Sequence, residues 1–351
     1  MSHQIANQAN GQAAAVFSAL EGAGWTGLGQ EIPADMANDP RAIAKLCGAN
    51  FTVEKRECYF KSAEGTYKAA RGKDVLVRTD TDRMLSVVSD NRYHVTNRQP
   101  VDIFEAFRDE LAQNNLTISH GAVLRGGADI VVCALLPSEF DIVVGNGDRI
   151  KQYVTASTGY NGHGTRVTKS GYRVVCANTH AANIADAEAK DKIRTIRAST
   201  QLERDSIANL IVDVKKLVDA ERATFDAMAN TRMSNEDVAR YFADVLEFNI
   251  ADLNRTNANG KKLVSTKTQN IVNQLLASYA NAPGADMAMG TAWGAFNAVT
   301  YYATHLKTVR DTSGSGESAA RVASNLNGDA AQMKLRALQL AASYSDIAVA
   351  A

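Results

Sequence analysis

The sequence predicts an α+β protein: a central antiparallel sheet with an internal helix, followed by a helical C-terminal half. Three observations carry this. Between about 50 and 175, short apolar runs alternate with polar turns at strand spacing. Within that stretch Ile103, Phe104, Phe107 and Leu111 recur at helical spacing instead. From Tyr172 onward, apolar residues return every three or four positions almost to the end.

The elements follow in order. Residues 1–40 are rich in Ala, Gly, Gln and Asn, with one short apolar segment, Ala13 to Phe17. Gly22 to Gly29 holds too many glycines for a helix interior and reads as a loop presenting Trp25. A short helix is expected from Pro40 to Cys47, with Pro in the first turn and Gly48 as the stop. Phe51–Phe60 reads as a strand. Val75–Arg78 and Leu85–Val88 flank a polar turn, as in a hairpin. The internal helix starts at Pro100 and stops at Asn114-Asn115. Ile118–Leu124 and Ile130–Leu136 form a second hairpin through Arg125–Asp129. Ile142–Val144 and Ile150–Thr155 form a third through Gly145-Asn146-Gly147-Asp148. Gly159–Gly164 is a further tight loop.

Four apolar stripes then mark helices, running from Ile207 to Met228, Val238 to Leu246, Ile271 to Tyr279 and Trp293 to Leu306. Ser234, with Asp237 three positions later, predicts an N-terminal cap for the second. Thr312–Gly316 reads as a linker, and a last helix is expected over about 329–348. The expected organisation is therefore 1–48 as an N-terminal loop and helix segment, 49–180 as the α+β core, 181–311 as a helical region packed on it, and 312–351 as linker and C-terminal helix.

Composition excludes several classes. A chain of 351 residues with 45% hydrophobic residues can bury a core. Its four cysteines form no C-x-x-C pair, which argues against a zinc ribbon or a thiol–disulfide site. Its longest apolar run, Ile130 to Leu136, is far below the roughly 20 residues that span a bilayer. The first residues lack the pattern of a signal peptide. A soluble, cytoplasmic protein without membrane association is expected. No Walker-type or dinucleotide-binding glycine pattern is present, and no G-x-S-x-G. The six histidines show no ligand spacing. Neither a metal nor a cofactor is expected, and the protein reads as a non-enzyme. The one thiol worth weighing is Cys176, flanked by Arg173 and His180, which would share its face if the segment were helical. A small buried residue among Val174, Val175 and Ala177 is the preferred reading.

The 38 bases and 38 acids cancel but are not evenly spread. Residues 41–98 carry 12 bases against 7 acids, and residues 145–204 carry 10 against 5. In these blocks Arg78, Arg83, Arg92, Arg149, Lys151, Arg166 and Lys169 interleave with Tyr93 and Tyr160. Lys190, Lys192, Arg194 and Arg197 follow on an expected helix. Cations that track phosphates beside rings that stack on bases are what single-strand nucleic-acid binding requires. The rival reading is an ordinary set of solvated faces.

Four ordered segments resemble one family, the phage/plasmid-like proteins of domain-of-unknown-function family 932. They are Trp25-Thr26-Gly27-Leu28-Gly29; the stretch from Val77-Arg78-Thr79-Asp80 to Asn97; Arg173-Val174-Val175-Cys176-Ala177-Asn178-Thr179; and Thr291 to Tyr302 with Trp293 and Asn297, followed by His305. Tyr160–Gly164 departs from the His-Asp-Gly-like turn expected there, so no role passes to His163. The resemblance implies a setting in phages, prophages and plasmids, not an activity. Trp25 is expected to pack across the sheet, Gly27 and Gly29 to take positive φ, and Asn178 or Thr179 to cap the first long helix. In that setting the expected function is single-strand binding, extending to strand annealing in recombination or replication, by a homo-oligomer. The alternative is a non-enzymatic assembly component or a factor acting on host proteins.

Overall fold

The computed structural model describes residues 8, 10–18, 29–89, 99–108, 115–145, 147–160, 164–180, 193–196, 205–310, 321, 324–325 and 328–346. It is α+β, with helices concentrated in the C-terminal half. The strands are β1 (Ala15–Ser18), β2 (Gln30–Ile32), β3 (Val53–Lys61), β4 (Tyr67–Arg78), β5 (Arg83–Ser89), β6 (Thr117–Leu124), β7 (Asp129–Leu135), β8 (Ile142–Val144), β9 (Asp148–Gly159), β10 (Gly164–Arg173), β11 (Asn178–His180) and β12 (Ile193–Ile196). The helices are α1 (Pro40–Leu46), α2 (Pro100–Glu105), α3 (Asp205–Asn230), α4 (Asn235–Val245), α5 (Thr266–Asn281), α6 (Ala292–Tyr301) and α7 (Asp329–Tyr344).

The main sheet runs β11-β10-β9-β7-β6-β1-β2, with β12 also on β10 and β8 on β9. All its pairings are antiparallel except β1 with β2. The N-terminal segment thus supplies two strands to the sheet, where only loop and helix were expected. Four residues of β1 carry too short an alternation to announce a strand, and the pairing with β6 decides it. A second sheet, β3-β4-β5, stands beside the first.

Strand pleat sorts the side chains of β9. Ile150, Gln152, Val154, Ala156, Thr158 and Tyr160 are buried on one face. On the other, Arg149 is exposed and Lys151 and Ser157 are half-buried, while Tyr153 and Thr155 are buried. The buried face meets α2, whose Phe104 ring packs on Gly121, and α3, whose Glu221 pairs with Lys169. One continuous core joins sheet and helices.

Local signals explain the elements. The Asp39 carboxylate accepts from the amides of Arg41 and Ala42 at 3.0 and 3.2 Å, starting α1. Ser234 and Asp237 form the expected reciprocal cap on α4. Two expectations fail. The chain after Tyr172 is not yet helical: β10 continues to Arg173, β11 follows, and β12 takes Ile193–Ile196, where a helix carrying Arg194 was expected. Pairing with β10 outweighs the local helical pattern there. The first helix of the C-terminal half is α3, beginning at Asp205. No helix among the described residues is long and apolar enough to cross a membrane.

Candidate functional site: a buried latch and an exposed hairpin

The resemblance-bearing residues of the C-terminal half converge on Asp148, the first residue of β9. Asp148 and Arg173 are each 1% exposed. The Arg173 Nε donates to both Asp148 oxygens, at 2.9 and 2.7 Å. The Trp293 indole N–H donates to Asp148 Oδ2 at 2.8 Å. The remaining Arg173 nitrogens donate to the Gly284 carbonyl at 2.8 Å and to the Cys176 sulfur at 3.3 Å. A charge pair this deep is tolerated only when its spare donors and acceptors are also met, and here they are.

The latch extends along α6. Asn178 Nδ2 donates to Thr300 Oγ1 at 3.1 Å, and Asn297 Nδ2 donates to the Trp293 carbonyl at 2.9 Å. His305, in the π-turn Tyr302–Leu306 that continues α6, bonds the Cys176 carbonyl at 3.0 Å. Burial lowers the His305 pKa and keeps the ring neutral. Gly294 lies so close to the Ala288 carbonyl that a methyl group would collide with it. Together these contacts fasten sheet strands β9–β11 to α6, whose residues Ala292–Thr300 are all buried.

This arrangement corrects two expectations and agrees with the preferred reading of Cys176 as a small buried residue. Asn178 lies in β11 and reaches α6, so it caps no helix. Cys176 lies in a tight turn ended by Ala177 in the left-handed region (φ 53°), so Cys176 and His180 share no helix face. Burial pushes the Cys176 thiol up, above the effect of Arg173, which leaves it protonated at neutral pH.

The proposed phosphate contacts are dispersed. Arg78 is buried, donates to both Asp80 oxygens at 2.6 and 2.8 Å, and lies 4.0 Å from the centre of the Phe51 ring. Its hydrogen bond to Arg78 holds the Asp80 carboxyl below its ordinary range. With the Gly126 carbonyl accepting from Arg78, this joins the small sheet to the β6–β7 turn. Lys169 is buried against Glu221, and desolvation lowers its pKa. Tyr160 is fully buried, its carbonyl accepting from Ser86. These three face inward and cannot meet a polyanion without unfolding. Arg83 is exposed, with its guanidinium against Gly126. Arg149 is half-exposed and paired with Asp141 at 2.7 Å. Lys151 is half-buried on the same face of β9, opposite Tyr172. Position 166 pairs with Ser157 in the sheet, but its side chain lies outside the described residues. Trp25, Gly27, Arg92 and Tyr93 also lie outside them, as does the Thr179 side chain. Gly29 has the expected positive φ, 121°, and its approach to Ala15 leaves no space for a side chain.

Rings that the sequence reading missed are exposed on the β3–β4 hairpin. Tyr59, Phe60 and Tyr67 are 55, 52 and 73% exposed. Lys61, Lys68, Arg71 and Lys73 are exposed beside them. Among the described residues β5 ends at Ser89 opposite Lys73, and beyond that point β3 and β4 pair as a two-stranded ribbon. At its root, Cys58 faces a bulge of four residues, Ala70 to Lys73, with Gly72 at φ 72°. From Cys58 to Lys73 the ribbon carries four bases against one acid, Glu64, which pairs with Lys68. Lys61, Arg71 and Lys73 make no ion pair among the described residues. The sequence signal was the alternation of rings with Lys, which reads equally as an ordinary strand. No group of three or more His, Cys, Asp or Glu able to hold a metal ion occurs among the described residues.

The geometry therefore defines an α+β protein with a fully satisfied ionic latch and a separate basic, aromatic ribbon. The family model for a domain of unknown function (DUF932) matches residues 84–326, more than half of the chain, and the protein belongs to that family. The match contains Asp148, the Arg173–Asn178 turn, Trp293, Asn297 and His305, whereas the ribbon precedes it. No curated protein and no solved structure matches the chain.

Proposed function

We infer that the protein binds single-stranded nucleic acid through the β3–β4 ribbon, as a DNA-associated protein of a phage or plasmid in the bacterial cytoplasm. The observation that carries this reading is the set of exposed Tyr59, Phe60 and Tyr67 rings among Lys61, Arg71 and Lys73, which make no ion pair among the described residues. Large rings exposed to water are costly unless a partner covers them, and the adjoining positive charge favours an anionic partner. A narrow ribbon with rings on both faces suits a flexible strand, whose bases are free to stack. Annealing of complementary strands would follow if several copies present their ribbons together. Val174 and Val175, both exposed on the latch turn, supply apolar surface for such self-association. They also favour the second reading, an assembly protein that acts without nucleic acid.

Fluorescence anisotropy with a labelled single-stranded oligonucleotide tests the first reading. Binding is expected to weaken linearly in log–log form as salt rises. Replacing Lys61, Arg71 and Lys73 by Gln is expected to reduce the magnitude of that slope by about 2. Absence of binding at low salt, with a nucleic-acid-free oligomer in light scattering, selects the second.

A further inference from the structure

We propose that one face of the ribbon is a slot for a single unpaired base, held between Tyr59 and Tyr67. This deepens the nucleic-acid reading above and rests on it. The register fixes the geometry. Tyr59 pairs with Ala69 and Lys61 pairs with Tyr67, so these four residues share one face as two successive cross-strand pairs. Phe60 and Lys68 pair on the opposite face. The two tyrosines are thus diagonal neighbours, a relation that sets residues roughly 7–8 Å apart. A planar base stacked on both sides requires about twice the 3.4 Å base spacing, which is nearly the same distance.

The other corners suit that occupant. Ala69, opposite Tyr59, is small and leaves the floor of the slot low. Lys61, opposite Tyr67, is exposed and places an ammonium where the strand backbone would pass. Neither tyrosine ring has an aromatic partner among the described residues, so the two do not close on each other. The Tyr59 hydroxyl donates to Glu57, two positions back on the same strand, which tethers that ring at the root side. Glu57 also makes the root side unfavourable for phosphate, directing the backbone towards Lys61 and the tip. A base in a duplex is already stacked and paired and cannot enter.

The test compares two labelled strands of equal length and charge, oligothymidylate and a fully abasic oligonucleotide, at low salt. The native protein is expected to bind thymidylate at least about tenfold more tightly, the scale of one base–aromatic stack. The Tyr59→Leu/Tyr67→Leu double variant is expected to bind both strands with the native affinity for the abasic one. The Tyr59→Phe/Tyr67→Phe variant, which keeps both rings, should retain the preference. Circular dichroism of each variant establishes that it is folded. Equal native binding of the two strands overturns the slot and leaves backbone binding intact. Failure of the native protein to bind either strand overturns the slot together with the function it rests on.

Discussion

Arg173 beside Trp293 and Lys61 beside Tyr67 are chemically similar pairs with opposite surroundings. Around Arg173, an aspartate, a thiol and a carbonyl take up the guanidinium, and Phe225 packs on the Trp293 ring at 4.7 Å. Around Lys61 no carboxylate pairs among the described residues, and Tyr67 faces water. The difference lies in the layers. A base and a ring under a second layer must satisfy every polar group internally, because water is excluded. The same residues on a two-stranded ribbon have no such demand and remain available to a ligand. Residue type alone does not separate structural cations from binding ones.

The sharpest test of that contrast removes one partner of the latch. Asp148→Ala leaves the Arg173 charge buried without its counter-ion and should lower the unfolding free energy by about 3–5 kcal/mol in urea titrations. The triple ribbon variant Tyr59→Ser, Phe60→Ser, Tyr67→Ser should stay within roughly 0.5 kcal/mol of the native protein. A reversal of these magnitudes would break the assignment of latch and ribbon. A smaller effect separates two glycines. Gly294→Ala drives a methyl into the Ala288 carbonyl and should cost about 1–3 kcal/mol. Gly65→Ala at the ribbon tip meets nothing within 4 Å, and only its φ of 83° opposes it, so roughly 1 kcal/mol is expected.

A further predicted effect concerns pH. Lys334, buried in α7, has its pKa lowered to about 7 by desolvation. An unfolded lysine titrates near 10.4. Between those values the unfolded chain binds more protons, so this residue makes stability rise with pH from about 7 to 10, and its full penalty applies below pH 7. Lys334→Met should flatten the pH dependence of the melting temperature over that window.

Much of the fold was legible because its signals are local. Asp39-Pro40 marked α1, Ser234 with Asp237 marked α4, and Gly145 and Gly147, at φ 52° and 91°, marked the β8–β9 turn. The latch was half legible. The resemblance singled out Arg173, Asn178, Trp293, Asn297 and His305, yet Asp148 read only as a turn residue. Its importance arises from antiparallel pairing, which sets Arg173 opposite Ile150, two positions along β9. Pleat parity likewise divided the basic blocks: Lys169 and Tyr160 lie on the inward face and Lys151 on the outward one, though all three are interleaved in the chain. The ribbon was legible only as one strand, Phe51–Phe60, inside a basic block. Nothing in Tyr59-Phe60-Lys61 tells whether another layer covers it; among the described residues β5 pairs with β4 only as far as Lys73.

The position of β1 has a consequence for biosynthesis. Ala15 pairs with Ala122, so β1 can meet the nearby β2 early but joins the rest of the main sheet only after β6 leaves the ribosome. Proteolytic trimming ahead of Gly29 would strip β1 away and bare the β6 backbone between two hydrophobic faces. Such a shortened chain would be prone to edge-to-edge aggregation, even with every residue of the latch in place.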